Sequence, residues 1–324
     1  MQNIREPTHA GAWYTDNSIK LNKQLQHWFD DAISDGIHNN SRSKVIIAPH
    51  AGLSFSGRTA AYAYSAANIS QYKRIIILGP SHHVYLKSCA LSPFDAYDTP
   101  LGTLSIDKEI NDELSSTKAF KRMSKVTDED EHSFEMHTPF IKKLANEFVK
   151  SFLLNIFTNN INRHDIKIVP ILVGNISHER EVEYGKYFAK YINDPETLGS
   201  RFRYTYYRPS RNEPGGRLGK FDDVDETGDS IHESISGLDH EAWDILSEAL
   251  KDPKQTHESF TKYLSETGNT ICGRHAFGIL LGALHHANRD YTSGSVKWTH
   301  YTQSSKALLP TDSSVSYSAG YMTM

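Results

Sequence analysis

Apolar residues gather first in short uninterrupted runs: Val45-Ile46-Ile47-Ala48, Ile75-Ile76-Ile77-Leu78 and the Ile166-Lys167-Ile168-Val169-Pro170-Ile171-Leu172-Val173 segment. The first two are β-branched and do not alternate, which is the pattern of strands buried on both faces of a parallel sheet. Pro170 cannot donate to a ladder, so the third strand is expected at an edge, a bulge or a bend. Between the first two runs, residues 57–67 are Ala-rich and helical in composition, which predicts a βαβ unit. Further helices are predicted over 18–32, 108–115, 134–149, 178–191, 230–250, 257–264 and 274–287. Near the C-terminus, residues 315–321 alternate and predict a half-buried strand. Strands alternating with helices imply an α/β fold: one domain over 1–324 with a central, mostly parallel sheet flanked by helices.

Composition changes this picture in one respect. Hydrophobic content is 38%, low against the roughly 45–50% of typical domains, so part of the chain should be polar insertion. Three stretches fit: Asn/Ser-rich 36–43, Asn-rich 152–165, and 208–228, where Pro, Gly and acids cluster. No internal repeat is visible. A net charge of −4 from 35 basic and 39 acidic residues gives no electrostatic case for a nucleic-acid or membrane partner. The N-terminal residues carry no apolar signal segment, and no run approaches the roughly 18 apolar residues of a membrane span. The expected location is the cytoplasm, with the nucleus reached by diffusion.

The chain has 2 Cys against 17 His, so a disulfide framework and a Cys-rich metal site are both excluded. A metal site here must rest on imidazole and carboxylate with at most two thiolates. His50 and His82 each follow a buried strand, where open α/β sheets place ligands. Either histidine alone could as well cap a helix or bond backbone, but two at consecutive strand ends can converge. His83 points elsewhere than His82 and is expected at most to line the pocket. Cys272 sits where an extended segment turns into an apolar helix beside Arg274, a setting that favours thiolate; the plainer alternative is a small buried thiol in a tight turn. Cys89, in a strand-like run, reads as core. The acidic run from Asp128 to His137 is not a zinc helix, because His132 and His137 are five apart and do not share a face. Capping or a supporting role is expected for most of it, with Glu135 or His137 as pocket residues. No nucleophile elbow, dinucleotide-binding glycine motif or phosphate-binding loop is present.

The series Thr8-His9-Ala10-Gly11-Ala12-Trp13-Tyr14, Ile47-Ala48-Pro49-His50-Ala51-Gly52, Leu78-Gly79-Pro80-Ser81-His82-His83, Asp128-Glu129-Asp130-Glu131-His132-Ser133, Val169-Pro170-Ile171-Leu172-Val173-Gly174, Thr270-Ile271-Cys272-Gly273-Arg274-His275 and Asp312-Ser313-Ser314-Val315-Ser316-Tyr317 resembles the Memo family (mediator of ErbB2-driven cell motility). It covers nearly the whole chain in order. The resemblance implies a fold similar to class III extradiol dioxygenases and a pocket where two histidines and a cysteine hold iron or copper. By motif position these are His50, His82 and Cys272, with Cys272 and His82 the pair expected to carry any chemistry. Thiolate in place of the dioxygenase carboxylate favours a redox role over ring cleavage. Links to cell motility, cytoskeletal signalling and redox homeostasis are implied as well.

One departure stands out. Family members carry a strand ending in a Ser-Asp-Phe-Cys-His-Trp run where this chain joins Thr197-Leu198 directly to Gly199-Ser200. The expectation is a missing buried strand and a missing pocket histidine. Two other functions stay open beside the redox metal protein. One is a non-catalytic module that binds a phosphotyrosine-type peptide or signalling protein through Trp13, Tyr14 and Arg274. The other is a metal-dependent dioxygenase or hydrolase.

Overall fold

A computed structural model describes residues 2–154, 165–202, 204–207, 230–309 and 311–324. The helices are α1 (Ser18–Ser34), α2 (Leu53–Ser65), α3 (Lys108–Ser116), α4 (Lys125–Asp130), α5 (His132–Glu135), α6 (Thr138–Leu154), α7 (His178–Asn193), α8 (Ile231–Ser247), α9 (Pro253–Thr267) and α10 (Arg274–Ala287). The strands are β1 (Ile4–Arg5), β2 (Ser43–Ala48), β3 (Arg74–Pro80), β4 (Cys89–Leu91), β5 (Ala96–Tyr97), β6 (Leu104–Ser105), β7 (Lys121–Arg122), β8 (Lys167–Val173), β9 (Thr197–Phe202), β10 (Tyr204–Tyr207), β11 (Ser295–Gln303) and β12 (Ser314–Thr323).

The main sheet runs β10-β12-β2-β9-β3-β8-β4-β7, with β11 also on β12, and a small sheet joins β1, β5 and β6. The centre, β2-β9-β3-β8, is parallel, while β12 and β4 flank it antiparallel. The buried runs work as predicted, because alternate residues face opposite layers. Ile46, Ile75, Ile77 and Ile168 pack with α1, α2 and α6. Val45, Ile47, Ile76, Val169 and Ile171 pack with α3, α7, α8, α9 and α10. The result is an α/β domain with helices on both faces of one sheet.

Helix ends follow local chemistry. The Asn17 side chain accepts from the Lys20 N–H to start α1. Asp252 caps α9, Pro253 opens it and Gly268 closes it at φ 65°, so this helix is longer than the predicted 257–264. The single helix predicted over 134–149 is instead α5 and α6, because Pro139 fixes the start of a new helix and cannot continue the preceding one. α7 and α10 cross so closely that a Cβ on Gly185 would lie 2.3 Å from the Gly282 carbonyl carbon.

Three expectations about strands meet the structure differently. The slot between β2 and β3 is filled: β9 pairs in parallel with both. Left open, it would strand the N–H and C=O groups of its neighbours, and the chain around the Leu198–Gly199 junction supplies the missing pairing. Leu198 is fully buried there. β12 is buried along nearly its whole length rather than half-buried, since strands flank it on both sides and α2 covers a face. Pro170 pairs with Ile77 on β3, while the β4 ladder reaches only from Val173 to Ile171, so the proline stands just past a local edge.

Residues 35–42 connect α1 to β2, so the predicted 36–43 stretch is connection up to Ser43, which opens β2. Residues 155–164 and 208–228, most of the other two predicted insertions, lie outside the described residues. Cys89 is buried in β4, and both cysteines are free thiols. Among the described residues no helix is long and apolar enough to cross a membrane.

Candidate metal centre

β2 ends at Ala48 and β3 at Pro80, and the loops leaving these strand ends bring His50 and His82 within 5.2 Å between ring centroids. A third imidazole joins them. His132, at the first position of α5, lies 4.2 Å from His82 and 5.7 Å from His50, centroid to centroid. One ring nitrogen from each of the three can be chosen so that all lie within 4.8 Å of one another. Cys272, in the turn before α10, lies near enough to His82 to raise its pKa, but it is not among the donor atoms that gather within 4.8 Å. The structure therefore groups His50 and His82 with His132, a residue not expected as a ligand, while Cys272 stands beside the group rather than in it.

Glu131 fixes this arrangement. It is buried, and its carboxylate accepts from the His82 backbone N–H and ring Nδ1, each at 2.8 Å. It also accepts from the Ser133 N–H at 3.0 Å, which caps α5. Holding a proton on Nδ1 makes His82 Nε2 the nitrogen that an incoming ion would bind, displacing the proton there. Burial alone would raise the Glu131 carboxyl, but hydrogen bonds from His82 and the charges of His82 and His132 bring it down to about 2. Burial likewise opposes the His82 cation, yet its neighbour Cys272 and the bonds to Glu131 raise it to about 9. His50 is pushed well below the usual imidazole range by burial and by its neighbours His82, His132 and His137. Burial and the charge of His82 lower His132 to about 3. The cluster thus contains two neutral imidazoles and one held by a carboxylate.

The N-terminal segment forms the wall. Trp13 stacks at 4.5 Å on His132 and is 37% exposed. Its carbonyl accepts from the Leu53 N–H at the start of α2, 2.9 Å away, which ties the segment to the loop carrying His50. His9 reaches both Trp13 and His132 with its ring. Glu135 is buried behind this wall, accepting from Arg5, the His9 N–H, His9 Nδ1 and the Tyr14 hydroxyl at 2.7–2.9 Å. Tyr14 is likewise buried. His137 is fully buried in the turn between α5 and α6, with Tyr64 on its Nδ1 at 3.0 Å. His83 is exposed with its ring edge toward His132, and Arg274 is half-buried at the first position of α10. Beside Trp13 opens a cleft of about 430 Å³ bordered by Ala51, Gly52, Phe55 and Tyr317.

His9 and His132 are not among the residues expected from sequence, whereas Glu131 fills the capping and supporting role expected of the acidic run. His132 does not share a helix face with His137. Its partners instead come from other strand ends, and only the motif holding Glu131 next to it offered a signal.

The sequence matches the family described as "Memo-like protein" over residues 5–321. It is 40% identical to Protein MEMO1 of human and of Xenopus tropicalis, covering 99% of this chain and 97% of each relative. It is 34% identical to the Protein memo-1 homolog of Caenorhabditis elegans, over 99% of this chain and 83% of that protein. An uncharacterized Escherichia coli K12 protein of known structure superimposes with a TM-score of 0.47 at 11% identity, covering 86% of this chain and 99% of that one.

Proposed function

This chain belongs to the Memo-like family, and from that premise we propose that it is a redox-active metal protein holding iron or copper at His50, His82 and Cys272, with His132 beside them. The observation that carries this reading is the convergence of one ring nitrogen from each of three imidazoles within 4.8 Å, with Cys272 close enough to act on His82. Imidazole and thiolate donors suit Cu(I) and Fe(II), whereas Mg²⁺ and Ca²⁺ take oxygen ligands. The residues present fit such an ion.

The chain's own contribution is positional. Glu131 orients His82 through Nδ1, so that Nε2 is the nitrogen an ion would bind on displacing its proton. His50 and His132, held neutral by burial, offer lone pairs without first losing a proton. Trp13 and His9 cover the side toward solvent. A bound iron or copper ion would supply one-electron redox chemistry. The cell-motility and cytoskeletal signalling setting belongs to the same proposal and rests on the family resemblance alone.

Elemental analysis of anaerobically purified protein tests it. Stoichiometric iron or copper is expected, lost in Cys272→Ser while the circular dichroism spectrum is kept. Folded protein that takes up neither metal on reconstitution would overturn the reading. Oxygen uptake with catechol-like substrates in the presence of Fe(II) separates it from ring cleavage.

A further inference from the structure

A second cluster of donor groups lies on the other face of the sheet, where α7, α9 and α10 meet. His178 and Glu181 stand three apart on α7 and so share a face. His257 comes from the buried side of α9. One donor atom from each can be chosen so that all three lie within 4.8 Å of one another. The rings of His178 and His257 are 3.9 Å apart.

The carboxylate is the unusual member. Glu181 is only 7% exposed, and its ion-pair partners among the described residues are imidazoles: His257 Nε2 on Oε2 and His275 Nδ1 on Oε1, both at 2.6 Å. Its neighbour Arg180 turns away to Glu183 and Tyr184. Space for the carboxylate is cut into α10, since a Cβ on Gly278 would come within 2.1 Å of Glu181 Oε2. Burial opposes the Glu181 anion, and the bonds from His257 and His275 outweigh it. A buried carboxylate faced by imidazoles on its open side is a ready site for a cation.

The surrounding hydrogen bonds prepare His178. The Thr261 hydroxyl donates to the His257 carbonyl at 2.9 Å, so it accepts from His178 Nδ1 at 3.2 Å. That assigns the proton to Nδ1 and leaves Nε2 as the donor atom, the outer support that metal-binding histidines ordinarily have. His275 holds the far carboxylate oxygen and reaches Asn175 with its other nitrogen at 2.9 Å. His178 is half-buried, so an ion can enter from the surface.

We propose that His178, Glu181 and His257 form a second divalent-metal site, of the zinc class, that ties α7 to α9 and leaves a coordination position to water. Two imidazoles and one carboxylate with an open position are a zinc donor set, and too few oxygens converge here for Ca²⁺. The ion replaces the proton now shared between His257 Nε2 and Glu181 Oε2, and that proton leaves to solvent. This site depends on none of the residues of the His50 cluster, so it stands or falls apart from the redox reading.

Calorimetric titration of the chelator-treated full chain with Zn²⁺ is the test. One equivalent is expected to persist in His82→Ala and to be lost in His178→Ala, a half-buried position whose removal leaves the fold intact by circular dichroism. Thr261→Val should weaken that equivalent by about 10–100-fold, as loss of outer support does. Bound Zn²⁺ should also raise the melting temperature of His82→Ala, and adding His178→Ala to that variant should abolish the rise. If His178→Ala binds Zn²⁺ with the wild-type stoichiometry and affinity, or if His82→Ala abolishes all binding, the proposal is overturned.

Discussion

Glu131 grips His82 at two points, the backbone N–H and ring Nδ1, each 2.8 Å away. Loop position and ring tautomer are thereby set by one buried carboxylate. Glu131→Gln keeps an acceptor oxygen but loses the charge that favours a proton on Nδ1. Metal affinity measured by competition with a chelator should fall about 10–100-fold, with the melting temperature changing little by comparison. Equal loss of affinity and fold would assign Glu131 to stability alone.

A second buried charge, Arg5, holds the same region from the other side. Its Nε donates to Asp128 Oδ1 at 3.1 Å and its Nη1 to Glu135 Oε2 at 2.7 Å, while Nη2 reaches the carbonyls of Asp128, Glu129 and Glu131. Arg5→Met strands two buried carboxylates, and breaking such a pair costs about 3–5 kcal/mol. Urea unfolding should report a loss of that size. Arg5→Lys should recover little, since an ammonium has three donors and cannot reproduce the planar fork.

Two glycines make a paired prediction of opposite sign. Gly185 faces Gly282 where α7 and α10 cross, with no room for a methyl group, whereas a Cβ on Gly237 in α8 would meet nothing within 4 Å. Gly185→Ala should force the helices apart at a cost of about 1–3 kcal/mol. Gly237→Ala should stabilise by about 0.5–1 kcal/mol, through lower unfolded-chain entropy and better helix propensity. Chemical denaturation of both variants checks the pair, and a destabilised Gly237→Ala would contradict the open packing there.

What the sequence made legible follows the physics of each signal. Uninterrupted β-branched runs fixed β2, β3 and β8, because burial on both faces removes polar positions. The strand-end histidines His50 and His82 could be read for the same reason, as polar residues placed where those runs stop. The supporting role of Glu131 could be read from the acids ahead of a helix, but not its partner, and His132 could not be read at all, because these partners arrive through separate loops and no spacing along the chain encodes that meeting. The filling of the sheet by β9 was hidden as well. Motif comparison registers an absent run of residues, but not the demand of β2 and β3 for hydrogen-bond partners, which draws in the chain that remains. The His178–Glu181–His257 cluster was passed over because its histidines lie in otherwise ordinary amphipathic helices.

Away from both clusters, His300 offers a direct reading of burial through acid titration. Its ring lies 4.1 Å from Tyr62, centroid to centroid. Arg58 Nη1 donates to Nε2 at 3.3 Å, so Nε2 carries the lone pair and Nδ1–H donates to Thr59 Oγ1 at 3.0 Å. Burial first, then the Arg58 charge, lower the ring from 6.5 to about 4, with Asp35 opposing. The folded state therefore holds His300 neutral where the unfolded chain would protonate it. Its contribution to stability is complete above about pH 6.5 and is lost as pH falls toward 4, where the folded ring also takes a proton. NMR titration of the ring should show a midpoint near 4 in the wild type. Arg58→Ala removes a cation that opposes protonation, so the midpoint should move up toward the ordinary value. A wild-type midpoint at 6.5 would mean that the ring is solvated rather than packed between Arg58, Thr59 and Tyr62.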